Sequence, residues 1–261
     1  MKELEFQYSM KLTFDTPIEN HRFTLKCIPR SNKRQEITQF DIDVYPKEFL
    51  SMDDDSFGNS CIYGYSQKFH DHFSIQLSGH ARTGLNNYEE TDDLYKIGMY
   101  KYQTDYTAPG SCILAFSKSL PFSDSASNYD KALVIMTELY QHFRYVQGVT
   151  NISTTAEDAF ALGQGVCQDY SHIMISLCRL NGIPARYVVG MLMGEGLSHA
   201  WVEIFHNNAW IAFDPTNNLI VSEDHIKISN GRDYRDCTIN QGLFTGNTTQ
   251  TQTVSVIVTE T

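Results

Sequence analysis

The strongest constraint on the fold is a change of hydrophobic period near residue 110. Before it, apolar and polar residues alternate, as in Phe6-Gln7-Tyr8-Ser9-Met10-Lys11-Leu12, Phe23-Thr24-Leu25-Lys26-Cys27-Ile28 and Phe40-Asp41-Ile42-Asp43-Val44. A period of two fits strands with one buried face. Pro17, Pro29, Pro46 and residues 53–58 read as turns between them. After Tyr106-Thr107-Ala108-Pro109-Gly110-Ser111 the spacing becomes three and four. Leu133, Ile135, Met136, Leu139, Tyr140 and Phe143 predict a helix from Asn128 to about Tyr145, with Ser125 or Ser127 as its cap. A second helix starts at Thr154-Thr155-Ala156-Glu157-Asp158 and stops at Gly163. A third runs from Cys167 to Leu180, ended by Asn181-Gly182 with Pro184 beyond. Strands follow over Arg186–Met193, Ser198–His206 and Ala209–Asp214, then near His225–Ser229 and Thr253–Thr259. The expected class is α+β, with a β-sandwich-like antiparallel domain over residues 1–108 and a second domain over 109–261.

With 261 residues, 41% of them hydrophobic and 20% charged, the chain can bury a sizeable core without covalent staples. The net charge of −11 repels phosphate backbones and anionic lipid, so neither nucleic acid nor membrane is an expected partner. No apolar run approaches the ~18 residues of a spanning helix. MKELEFQYSMKLTF lacks the apolar stretch of a signal peptide, which makes the cytoplasm the expected location. Cys27, Cys61, Cys112, Cys167, Cys178 and Cys237 form no CxxC pair and are expected to be reduced.

Cys167 stands where the small-residue loop Gly163-Gln164-Gly165-Val166 enters a helix. Free N–H groups and the positive end of the helix dipole favour a thiolate there, and the same groups suit an oxyanion. Taken alone, a cysteine is more often a small buried hydrophobe, and Cys178 keeps that reading. His199 and Asp214 lie on two strands joined at Asn207-Asn208, a pair that tolerates positive φ in a two-residue hairpin turn. In that register Phe205 faces Trp210, Glu203 faces Ala212, and Trp201 faces Asp214. His199 then lies diagonal to Asp214 on the same face, roughly 7–8 Å away at the backbone. A cysteine, an imidazole and a carboxylate in this order suit nucleophile, base and orienter.

The segments Gly165-Val166-Cys167-Gln168-Asp169-Tyr170-Ser171-His172, Gly182-Ile183-Pro184-Ala185-Arg186-Tyr187-Val188-Val189-Gly190, His199-Ala200-Trp201-Val202-Glu203 and Asp214-Pro215-Thr216-Asn217 resemble the bacterial transglutaminase-like cysteine peptidase family. Gly231-Arg232-Asp233-Tyr234-Arg235-Asp236 and Phe57-Gly58-Asn59 are similar to it too. The resemblance implies a papain-like core and places nucleophile, base and orienting carboxylate on Cys167, His199 and Asp214. Gln168 replaces the tryptophan that follows the nucleophile in animal transglutaminases, which leans the expectation toward hydrolysis.

The expected function is therefore a cysteine peptidase or amidase acting on a peptide or amide substrate, without metal or organic cofactor. Acyl transfer to an amine and a non-catalytic binding domain are the alternatives. Accessory candidates are Gln164 as an oxyanion donor, Gln168, Asp169 and Tyr170 in the first helical turn, Trp201 (with Trp210) packed around the His–Asp pair, and Arg232 and Asp233 at the cleft edge. His70-Asp71-His72, with His80 nearby, lacks further ligands for zinc and reads as a solvated segment.

Overall fold

The computed structural model describes residues 1–90 and 94–261. Two antiparallel sheets dominate, with the helices gathered against the second. The first is built on one 24-residue strand, Lys2–Leu25. Its alternation buries Leu4, Phe6, Tyr8, Met10, Leu12 and Phe14. Over this half it pairs with His70–Thr83 on one side and Gln250–Glu260 on the other. Its end, His21–Leu25, pairs instead with Ser60–Ser66 and Asn240–Thr245. One strand thus serves two layers, and the sheet curls around a shared core.

Pro17, expected to end a strand, lies within it. The pairing with His70–Thr83 breaks between Thr13 and Ile18, so the missing N–H of proline costs no ladder bond. The expected cut at residue 109 does not follow the sheets either. The strands Asn240–Thr245 and Gln250–Glu260 belong to the first sheet. Conversely, Tyr88–Glu90 pairs with Ala209–Asp214 in the second.

The second sheet runs in the order Leu219–Ile220, Ala209–Asp214, His199–His206, Ala185–Leu192, His225–Gly231. The helix Cys167–Leu180 packs against it and is buried on nearly every side. Around it stand Asn128–His142, capped by Ser127, and Ala156–Leu162, which starts at Thr155 and stops at Gly163 (φ 72°). A further helix, Ser111–Ser119, was not evident from spacing. Its N-terminus is capped from a distance by Glu157, which accepts from the N–H groups of Gly110, Cys112 and Ile113.

Specific polar contacts join the two sheets. Asn59 donates to the Asn230 carbonyl at 2.8 Å and accepts from the Asn230 N–H at 2.8 Å. Phe57-Gly58-Asn59 is therefore a turn that fixes the first sheet on the last strand of the second. No helix among the described residues is long and apolar enough to cross a membrane.

Candidate active site

At the start of its helix, Cys167 follows an extended Val166. Asp169 fastens this turn: its Oδ2 accepts from the Val166 N–H at 2.7 Å and from the Thr150 hydroxyl at 2.7 Å. Burial raises the pKa of this carboxyl against the pull of those two bonds. A side chain at residue 165 has no room, because its Cβ would lie 2.4 Å from Asp169 Oδ2. Gly165 thus clears space for the carboxylate rather than for the sulfur. Cys167 itself is partly exposed.

The hairpin takes the expected register. Phe205 faces Trp210 and Glu203 faces Ala212. Asn207 and Asn208 hold φ of 49° and 61°, both positive as a type I′ turn requires. His199 Nε2 lies 2.8 Å from Asp214 Oδ2. That leaves Nδ1 free to face the thiol, and Cys167 and His199 line the same cleft. Burial works to lower the His199 pKa, but the bonds and charges of Asp214 and Cys167 outweigh it and push it up to about 10. Asp214 is fully buried. Burial alone would raise its pKa; His199, His225 and Asn217 instead hold it well below the usual carboxylate range. Its Oδ1 accepts from the N–H groups of Thr216 and Asn217, and its Oδ2 from the Asn217 amide at 2.7 Å.

His225 was not foreseen. From the far strand of the sheet its Nε2 reaches Asp214 Oδ2 at 3.2 Å, the same oxygen that holds His199. Burial lowers its pKa against the carboxylate's pull, so a neutral ring donates this bond. Its ring meets Trp201 edge-on, with centroids 5.3 Å apart. His225→Phe keeps a ring against Trp201 and removes the N–H. A hydrogen bond to a charged group contributes ~1.5–3 kcal/mol. The variant is expected to lower kcat/KM by about 10- to 100-fold, read by steady-state kinetics across pH. An unchanged profile would assign the ring to packing alone.

Asp214 Oδ2 and a nitrogen of each imidazole lie within 4.8 Å of one another, a cluster compact enough for a cation. Their mutual contacts of 2.8 and 3.2 Å are direct hydrogen bonds. A zinc ion, with bonds of ~2.0–2.1 Å to nitrogen, would have to part them.

The other candidates divide. Gln168 lines the cleft and its amide reaches the Ile152 carbonyl at 3.4 Å. Trp201 is buried beside both imidazoles. Gln164 pairs through its backbone with Arg144 and is absent from the lining of the cleft. Tyr170 is buried and donates to the Phe143 carbonyl at 2.6 Å. Arg232 pairs with Asp236, and Asp233 caps the turn Tyr234–Cys237. Trp210 packs away from the triad, against Tyr100 and under the Arg186 guanidinium at 4.2 Å. His70 is not solvated: it is buried, 3.2 Å from His21. His72 stacks on Tyr45.

The thiol and imidazole open into a cleft of about 450 Å³. Tyr8, Gln252 and Val254 of the first sheet form part of its wall, so both sheets build the site. A larger groove, about 630 Å³, lies between Phe49, Tyr63 and Leu243. It contains no cysteine, imidazole or carboxylate, whereas Cys167 and His199 line the smaller cleft.

The Transglutaminase-like superfamily profile matches residues 120–215, and that of the Bacterial transglutaminase-like N-terminal region matches residues 4–82. The chain carries a transglutaminase-like domain. A solved protein of Cytophaga hutchinsonii, provisionally named a cysteine protease, shares this fold with a TM-score of 0.81. It is 23% identical, over 99% of this chain and 90% of its own. An uncharacterized protein of Mycobacterium leprae is 37% identical over 112 residues, 39% of this chain and 40% of its own length. One from Mycobacterium tuberculosis is 31% identical over 126 residues, 42% of this chain and 40% of its own. The chain thus matches about 40% of the length of these relatives. The transglutaminase-like match contains Cys167, His199 and Asp214; His225 and the cleft residue Tyr234 lie beyond it.

Proposed function

We propose that this protein is a cysteine hydrolase that cleaves an amide bond through an acyl-enzyme on Cys167. The observation that carries the reading is one arrangement: Cys167 and His199 line a single open cleft, and His199 lies 2.8 Å from a buried Asp214. His199 takes the thiol proton and Asp214 stabilises the resulting imidazolium. The thiolate attacks the carbonyl carbon, and the N–H groups in the first turn of the nucleophile helix face the developing oxyanion. His199 then protonates the departing amine, and water, deprotonated by the same imidazole, releases the acid. Gln168 beside the nucleophile favours water over an amine as acceptor. Peptide or amide is the proposed substrate class. The six free cysteines fit a reducing compartment, and a cytoplasmic location belongs to the same proposal.

The test is a peptide and amide library offered to wild-type protein and to Cys167→Ala, with and without added amine, followed by mass spectrometry. Wild type is expected to give hydrolysed products and a transient acyl adduct on the Cys167 peptide; the variant is expected to give neither. Turnover by the variant would refute the assignment, and a dominant amine adduct would make the protein a transferase.

A further inference from the structure

Charged residues make up 20% of this chain, yet among the described residues lining the cleft none is Asp, Glu, Lys or Arg. Cys167 and His199 are its reacting groups. The rim is apolar and unusually exposed. Ile152 is 66% exposed, Leu197 62% and Tyr145 49%. Tyr145 and Ile152 stand on the one connection between the helices Asn128–His142 and Ala156–Leu162, and Leu197 just before His199, yet they converge on one opening. Val254 adds an apolar wall from the first sheet. The polar groups beside them are neutral: Gln147, Gln168, Thr238, Asn240 and Gln252. Amides and hydroxyls of this kind can pair with the main chain of an extended peptide.

We infer that the acyl donor is a peptide segment carrying an uncharged, apolar side chain next to the scissile amide, gripped by Tyr145, Ile152, Leu197 and Val254. This rests on the hydrolase reading and adds the substrate class to it. A carboxylate or ammonium in that position would lose its water without meeting a partner of opposite charge. An aliphatic or aromatic side chain would instead cover the exposed rim. The neutral amides take the peptide backbone, so selection falls on the side chain.

The experiment uses the full chain and peptidyl acyloxymethyl ketones of one scaffold, with Leu, Phe, Gln, Glu or Lys beside the reactive ketone. Cys167 Sγ forms a bond to the methylene carbon as the C–O bond breaks, and the electron pair leaves with the carboxylate. Rates are read from the mass of the Cys167 peptide, with iodoacetamide as a side-chain-free reference. The Leu and Phe probes are expected to react about 10- to 100-fold faster than the Glu and Lys probes. Ile152→Glu and Leu197→Glu, both at exposed positions, are expected to shift the Lys-to-Leu rate ratio upward by at least about 10-fold. If iodoacetamide modifies Cys167 but the probes react alike, or the charged ones react fastest, this inference falls and the hydrolase reading stands. If neither iodoacetamide nor any probe modifies Cys167, both fall together.

Discussion

Asp214→Asn is expected to lower kcat by about 1,000- to 10,000-fold, the cost of replacing the orienting carboxylate in an acyl-transfer triad. The substitution keeps the size of the side chain and removes its charge. Asn also offers Nδ2 hydrogens where His199 and His225 both bring Nε2 to one oxygen. A second readout separates this from a loss of folding. Asp214 and Cys167 outweigh burial and push the His199 pKa up to about 10. Without the carboxylate, burial dominates, and the titration seen by NMR should fall towards or below the ordinary 6.5. The sign for stability follows. The raised pKa of His199 gives a contribution complete below pH 6.5 and lost as pH rises through about 10. The depressed pKa of Asp214 gives one present above 3.8 and lost as pH falls through its native value. The pair therefore stabilises most between about 4 and 6.5, and the variant should lose this pH dependence in thermal melts. A His199 titration unmoved by the substitution would defeat the assignment.

Glu203→Ala is expected to have the largest effect on stability. Glu203 is buried on the face of the sheet that carries His199 and Trp201. Its Oε2 accepts from Arg186 Nε at 2.6 Å and from Lys227 Nζ at 2.9 Å. Burial would raise its pKa, but Arg186 and Lys227 overcome this and hold it ionised. Arg186 and Lys227 also share Glu89, at 3.1 and 3.0 Å. Truncation leaves Arg186 and Lys227 on one carboxylate and takes from Arg34 the carboxylate 4.0 Å from its guanidinium. Breaking such a group costs ~3–5 kcal/mol, which should lower Tm on the order of 10 °C. Glu203→Ala combined with Lys227→Met removes one surplus cation and should recover part of the loss, measured as a coupling in a double-mutant cycle. A single variant that melts like wild type would show that the network contributes little.

The placing of Cys167, His199 and Asp214 around one cleft was legible because each link is local or nearly so. Cys167 reads from the small residues before its helix, and His199 with Asp214 from a two-residue turn and a period of two. His225 was hidden because its partnership depends on strand order: Ala185–Leu192 lies between its strand and the hairpin, and no local spacing encodes that neighbour. The cleft walls were hidden for the same reason, since Tyr8 and Val254 line the same cleft as Cys167 from distant parts of the sequence. Trp210 was misplaced although its strand face was read correctly. The sheet is wider than the site, and at that end the face meets Tyr100 and Arg186. Sheets cross the cut at residue 109 because composition shows where strands give way to helices, not which sheet a later strand rejoins. Asn59 likewise betrays nothing locally of its bonds to Asn230.

That the strand Gln250–Glu260 lies beside Lys2–Leu25 and supplies a wall of the cleft has a consequence in time. Synthesis delivers the nucleophile, the base and the carboxylate by residue 214, but the central strand still lacks one neighbour and the cleft one side. The groove is completed only when residues 250–260 are free to pair with the earliest part of the chain. A growing polypeptide therefore carries Cys167 and His199 for some while before the cleft they line has its last wall.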